Sequence, residues 1–361
     1  MTHHLDRLDR RFDRRALLRG GLLASGLLVA APLLAACGDD EEDASAGTGG
    51  IGEGSLRFSW VKNVEFAGAY LADTNGYYKA EGFSGFELIG GGPTATPAET
   101  DVLTGKAMVG ISAPDTVAAA LAKGAQLKII GAEYQKNPFA IMSMADNPIR
   151  SAKDMIGKKI GVQATNEAIW AAFLKANGID PASITKVPVQ FDPLPLTTGT
   201  VDGWMSFVTN EPNALRVKGF EVETFLFADE KYPLVSEVFV VADKTISERR
   251  PALKAFLRAQ AKGWRDSLKD PEAGAKLAVD KYGKDLGLDL KEQILSSKDQ
   301  NELILTEDTK KNGLFTITPE LVAKNIETLK FAGLEVTAEQ LFDLSVLEEV
   351  YKEDPSLVAG L

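Results

Sequence analysis

The sequence predicts an α/β chain of mainly parallel sheets flanked by helices. Three observations lead there. Leu56, Phe58 and Trp60 alternate with Arg57 and Ser59, the two-residue period of a strand, and a helical stretch and a second apolar strand follow. The same strand–loop–helix order restarts near Ser151. Polar loops stand at the carboxyl ends of these strands, where open parallel sheets bind small ligands. A length of 361 residues suggests two domains, and 45% hydrophobic content is enough for two cores.

Residues 1–36 read as a cleaved export signal. Arg7, Arg10, Arg11, Arg14, Arg15 and Arg19 outnumber Asp6, Asp9 and Asp13, and the apolar run Leu22 to Ala36 follows, too short for a comfortable membrane span. Arg14-Arg15-Ala16-Leu17-Leu18-Arg19 resembles a twin-arginine signal. Leu34-Ala35-Ala36-Cys37 resembles the lipobox of bacterial lipoproteins. That resemblance implies lipidation of Cys37, and several acyl chains would hold the chain on the outer face of the cell membrane. Residues 37–54 form an acidic, Gly/Ser-rich tether without apolar periodicity. Its Gly47-x-Gly49-x-x-Gly52 lacks the preceding strand and following helix of a dinucleotide site.

Cleavage before Cys37 limits the available chemistry. His3 and His4, the two histidines, leave with the signal, and Cys37, the one cysteine, becomes the anchor. Ser-His-Asp and Cys-His catalysis and zinc sites built from His or Cys are then excluded, as is an internal disulfide. No metal and no cofactor is expected. Removing six Arg and three Asp from totals of 40 and 51 leaves 34 basic and 48 acidic residues, which moves the net charge from -11 to -14. A nucleic-acid partner does not fit that charge.

The elements follow in order. After the Trp60 strand comes the turn Lys62-Asn63, a helix over Glu65 to Asp73, a strand over Phe86 to Ile89, and Gly90-Gly91-Gly92. Thr96, Pro97 and Glu99 read as a capped helix start. Strand Met108 to Ile111 leads into Ser112 and Asp115, and an alanine-rich helix follows over Thr116 to Lys123. Strands Leu127 to Ala132 and Phe139 to Met144 flank Tyr134 to Pro138. The second unit has a short helix from Ser151, strand Lys159 to Val162, the loop Gln163 to Asn166, and a helix with Ile169, Trp170, Phe173 and Leu174 on one face. Strands over 184–189, 201–208, 222–227 and 237–242 complete the block, with a helix over Asn213 to Lys218. The remainder reads as helices, with Thr318 and Thr337 as starts.

This layout resembles type II substrate-binding proteins of bacterial ABC importers, in their sulfonate, nitrate and thiamine-pyrimidine group. The residues involved are Trp60, Phe66-Ala67-Gly68, Tyr70-Leu71-Ala72, Gly76-Tyr77-Tyr78-Lys79, Glu81-Gly82-Phe83, Gly90 to Pro93, Gly105-Lys106 and Asp154 to Val162. The resemblance implies a two-lobed periplasmic-binding-protein type II fold, each lobe a mainly parallel sheet flanked by helices, that closes over a ligand. Lobe I would be residues 55–145 and 242–361, and lobe II residues 146–241, with crossings near Met144-Ala145 and Val241-Ala242. It implies a monomer working with an ABC permease and its ATPase. Within the group the chain is most similar to binders of the thiamine pyrimidine precursor. A related set of enzymes consumes one of its own histidines and needs a cysteine-rich run; Phe66 stands where that histidine is expected, and the run is missing. A binding protein is therefore expected, not an enzyme.

The candidate ligand-binding residues are Trp60, Asn63, Phe66, Tyr70, Gly91, Gly92, Ser112, Asp115, Tyr134, Asn137, Thr165, Asn166, Trp204, Asn210 and Glu211. Aromatic faces with Asn and Glu suit a flat, nitrogen-rich heterocycle, whereas nitrate or sulfonate calls for Arg or Lys forks or helix N-termini. A thiamine pyrimidine precursor is the leading ligand; riboflavin or another heterocycle, a sulfonate and nitrate stay open. Three local alternatives also stay open. Glu211 precedes Pro212 at a helix start, Asp115 can cap the helix that follows it, and the triple glycine can be a plain turn.

Overall fold

The computed structural model describes residues 50–358; the export signal, Cys37 and most of the tether lie outside the described residues. The strands are β1 (Gly52–Arg57), β2 (Phe83–Ile89), β3 (Val109–Ser112), β4 (Leu127–Tyr134), β5 (Phe139–Met144), β6 (Lys159–Gln163), β7 (Thr185–Val189), β8 (Gly203–Phe207), β9 (Val222–Leu226) and β10 (Ser236–Ala242). The helices of the first half are α1 (Ala67–Thr74), α2 (Tyr77–Ala80), α3 (Ala98–Leu103), α4 (Pro114–Leu121), α5 (Glu167–Asn177), α6 (Leu194–Thr197) and α7 (Glu211–Arg216). Those of the second half are α8 (Asp243–Glu248), α9 (Arg250–Lys269), α10 (Pro271–Leu277), α11 (Leu290–Ile304), α12 (Glu307–Asn312), α13 (Pro319–Leu329), α14 (Ala338–Leu341) and α15 (Ser345–Glu353).

The strands form two sheets with the orders β2-β1-β3-β10-β4 and β7-β6-β8-β5-β9. In the first, β1 pairs parallel with β2 and β3, and β10 runs antiparallel between β3 and β4. The second repeats the plan, with β6 parallel to β7 and β8, and β5 antiparallel between β8 and β9. Each lobe is thus a mainly parallel sheet with one strand reversed.

These pairings correct the expected crossings. β5 belongs to the second sheet and β10 to the first, so the chain crosses at 135–138 and 227–235. Both strands are nearly all buried, and a continuous apolar run reads the same in either sheet. The tether is also shorter than expected, because β1 begins at Gly52. At the start of α3, Thr96 makes no cap; Pro97 is the N-cap residue, without a side-chain bond. Thr318 and Thr337 do cap α13 and α14.

Lobe I closes its core by packing α1 against α9, and α9 contributes Leu253, Phe256, Leu257 and Trp264, all fully buried. The α1–α9 contact is tight: a Cβ on Gly263 would collide with the Gly68 carbonyl and the Ala72 backbone, and one on Gly68 with the Trp264 ring. The C-terminal helices also reach lobe II. The Asn213 side-chain amide on α7 donates to Asp299 on α11 at 2.8 Å, and Arg216 pairs with Asp299 at 3.3 Å. The Asn325 amide oxygen on α13 accepts from Val235 N in the second crossing at 3.1 Å. Among the described residues no helix is long and apolar enough to cross a membrane.

Gly263→Ala should force α1 and α9 apart and destabilise the protein by about 1–3 kcal/mol or more, the usual range for overpacking a core. Denaturant unfolding checks this; an unchanged midpoint would mean that the helices shift freely.

Candidate ligand-binding site

The chain leaves the first sheet at the carboxyl end of β4 and enters β5 at residue 139; it leaves β9 at its carboxyl end and enters β10 at residue 236. β5 and β10 run against their neighbours, so both crossings join the carboxyl ends of the parallel strands. Those two ends therefore face each other, as ligand binding at strand ends requires. A groove of ≈ 640 Å³ lies elsewhere, lined by Glu53, Met108 and Arg249 at the amino ends of the first sheet's parallel strands.

The lobe I wall is the loop after β1 laid against the loop after β2. Gly91 N donates to the Trp60 carbonyl at 2.7 Å. A Cβ on Gly91 would overlap the Phe58 carbonyl and the Ser59 backbone, and one on Gly92 would press on Val61. The triple glycine thus brings two backbones together. Beneath it, Arg57 Nη1 donates to the Gly90 carbonyl, Nη2 to the Thr96 carbonyl at 2.7 Å, and Nε pairs with Asp101 at 3.2 Å. Arg57 and Asp101 are 5% and 2% exposed, so this cation is committed to the loop. Lys62 lies along Gly90, and burial lowers its pKa.

Half-buried Trp60 is left facing the opposite lobe, where it meets Phe191 at 5.4 Å between ring centroids and 63° between planes. Phe191 follows β7, was absent from the sequence-derived candidates, and is 38% exposed. An isolated Phe in the polar stretch Gln190-Phe191-Asp192 carries no periodic signal, so the contact emerges only from the fold. Beside it, Thr165 and Asn166 follow β6, and Asn210 and Glu211 follow β8. Asn166 Nδ2 donates to Gln163 Oε1 at 3.0 Å, and Thr165 Oγ1 donates to Asn166 Oδ1 at 3.3 Å. Asn210 is the N-cap residue of α7. Glu211 Oε2 accepts from Phe207 N at 2.8 Å, and burial pushes its carboxyl up to about 7.

The remaining candidates lie in the cores or are engaged locally. Phe66 stacks on Phe58 at 4.1 Å and Tyr70 on Tyr282 at 4.2 Å; both are fully buried. Tyr134 donates to Gln300 Oε1 at 3.0 Å, and Trp204 is buried with Met142, Leu196, Val201 and Leu215. Full burial leaves these four rings no face for a ligand in this arrangement, which corrects the reading of them as pocket walls. Ring type does not distinguish a core aromatic from a lining one. Trp170 is likewise core. Asn63 accepts from Glu65 N at 3.0 Å, Asn137 from Phe139 N at 2.9 Å, and Asp115 from Thr116 N at 2.8 Å. Ser112 Oγ donates to Glu99, the residue expected in a capping box.

Under the Trp60 loop three carboxyls converge from distant parts of the chain: Glu65, Glu133 and Glu237, each no more than 5% exposed. Ser59 Oγ donates to Glu237 Oε2 at 2.7 Å, and Trp264 Nε1 to Glu133 Oε1 at 2.8 Å. Burial first, then mutual repulsion, raises Glu65 well above the usual carboxylate range; its carboxyl bonds to that of Glu237, which burial also raises. Two carboxyls in hydrogen-bond contact must share a proton. Glu237 has φ 46, outside the usual range for a residue with a side chain, immediately after the second crossing.

The sheets, crossings and facing loops are those of the type II periplasmic binding proteins, the solute-binding class of ABC importers. The chain belongs to the family described as NMT1/THI5 like, which its residues 63–274 match. It is 29% identical over 297 residues to the riboflavin-binding protein RibY of Chloroflexus aurantiacus, covering 78% of this chain and 81% of that protein. The fold is similar to that of the periplasmic aliphatic sulphonate binding protein SsuA from Escherichia coli, with a TM-score of 0.63 and 16% identity, covering 81% of this chain and 92% of the other. It is also similar to the periplasmic nitrate-binding protein NrtA from Synechocystis PCC 6803, with a TM-score of 0.58 and 11% identity, covering 85% and 91%.

Glu211 and Glu237 hold a proton more tightly in the folded than in the unfolded chain. Their stabilising contribution is full below the ordinary carboxylate value and is lost as pH rises through about 7. The thermal midpoint should therefore fall between pH 5 and 8, and Glu237→Gln, which keeps an acceptor for Ser59, should flatten the fall. Parallel profiles for the two proteins would exclude Glu237 as a source.

Proposed function

We propose that the chain is an extracytoplasmic, lipid-anchored solute-binding protein that delivers a flat aromatic heterocycle, a flavin in the first instance, to an ABC permease and its ATPase. One observation supports this most: Arg57 and Lys136, near the strand ends, are already engaged. Arg57 is tied to Asp101 and the glycine loop, and Lys136 pairs with Asp229 at 3.3 Å. A sulfonate or nitrate needs a free cationic fork or a helix N-terminus. At the same strand ends stand the half-buried ring of Trp60 and, after the facing strands, the amides of Asn166 and Asn210 and the carboxyl of Glu211, residue types that suit a polar ring system donating and accepting hydrogen bonds along its edge. Likeness to a riboflavin-binding protein favours a flavin over the thiamine pyrimidine precursor. The lipobox-like Leu34 to Cys37 supports anchoring.

Titrating the purified protein with riboflavin, followed by flavin fluorescence, should give saturable one-to-one binding that nitrate and an alkanesulfonate do not displace. Saturable sulfonate or nitrate binding without heterocycle binding would overturn the proposal, and preference for the aminopyrimidine would move it to the thiamine precursor. For the anchor, Cys37→Ser should shift the protein from the membrane fraction to the soluble fraction of expressing cells. Unchanged membrane retention would exclude lipidation at that position.

A further inference from the structure

We infer that Trp60 and Phe191 are the two jaws of an aromatic clamp, and that Phe191, from the lobe II loop after β7, selects ligands with a flat ring. The inference rests on the heterocycle reading above. The two residues lie on opposite sheets, 131 positions apart in sequence, yet their rings touch at 5.4 Å. Each follows a parallel strand at its carboxyl end, so the contact spans the mouth that the crossings allow to open.

The jaws differ in how they are held. Trp60 is fixed from three directions: its carbonyl by Gly91 N, its neighbour Ser59 by Glu237, and the adjoining loop by Arg57. Phe191 belongs to none of the three hydrophobic clusters. Its loop has a local turn in which Asp192 Oδ1 accepts from Leu194 N at 3.2 Å, and the loop rides on lobe II. A lone exposed Phe is ordinary. One that is 38% exposed and also reaches a Trp across a domain boundary has a specific partner.

The geometry also states what the clamp admits. At 63° the rings now meet edge to face. A planar ligand lying between both faces needs about 3.5 Å on each side, so the centroids must separate to roughly 7 Å. That is a small opening of one loop against another, within reach of a hinge at 135–138 and 227–235. A thin aromatic ring fits such a slot with contact on both faces. A tetrahedral sulfonate head gains nothing from it, and neither does a nitrate ion that needs donors.

The experiment is riboflavin titration of the wild type and of Phe191→Ala, Phe191→Leu and Phe191→Tyr. Loss of one stacked ring should weaken binding about 2- to 12-fold, from about 0.5–1.5 kcal/mol per aromatic pair. Tyr should bind within about twofold of Phe, and Leu, which keeps apolar area without a ring, should fall with Ala. Phe191 lies outside the cores, so thermal midpoints of all four should agree, which separates loss of the clamp from loss of the fold. Equal flavin affinity in wild type and Phe191→Ala would overturn the clamp while leaving the flavin reading intact. Leu binding as well as Tyr would overturn ring selection. Wild-type protein that binds no heterocycle would overturn the functional reading and the clamp with it.

Discussion

The buried guanidinium of Arg57 is the interaction on which the ligand-facing side of lobe I depends. It ends β1, neutralises Asp101 on α3, and fills the Gly90 and Thr96 carbonyls of the loop after β2. Removing one partner from such a buried pair leaves an uncompensated charge, typically a loss of about 3–5 kcal/mol. The same engagement bears on the proposed ligand. A cation surrounded by protein oxygens is not available to an anionic ligand, which is why it enters the proposal for a neutral ring.

Much of the fold was legible because it rests on local periodicity. The helix with Trp170 on its inner face and the caps at Thr318 and Thr337 each announce themselves within a few residues, whereas the alternation through Phe58 and Trp60 runs past β1, which ends at Arg57. What escaped were pairings between distant segments. Nothing in Phe139 to Met144 or Ser236 to Ala242 tells which sheet the strand will join, since both are buried on each face.

The site was legible in outline and not in detail. Reading polar loops at strand ends picked out Trp60, the glycines and Glu211, which lie after β1, β2 and β8, because that rule follows from topology. It could not separate Trp60 from Phe66, Tyr70 and Tyr134, because a ring below the loop and a ring on the loop share the same residue type. The Glu65–Glu133–Glu237 cluster and the Trp60–Phe191 contact were invisible for a related reason. Each is assembled from segments that meet only when the sheets are complete.

The reversed strands also decide the order in which the lobes can be finished. Lobe II draws its strands from one unbroken stretch, β5 through β9, so its sheet can pair fully as soon as that stretch exists. Lobe I has no such independence. β3 and β4 are separated by the slot that β10 fills, and α1 waits for α9 before its inner face is covered. Until the chain beyond residue 236 arrives, the first-made lobe has two unpaired strand edges and an open apolar face, the state most exposed to wrong pairing. Sequence separation of this size also slows the closing step, because loop closure must precede the contacts that reward it. The half of the protein that is made first is completed last.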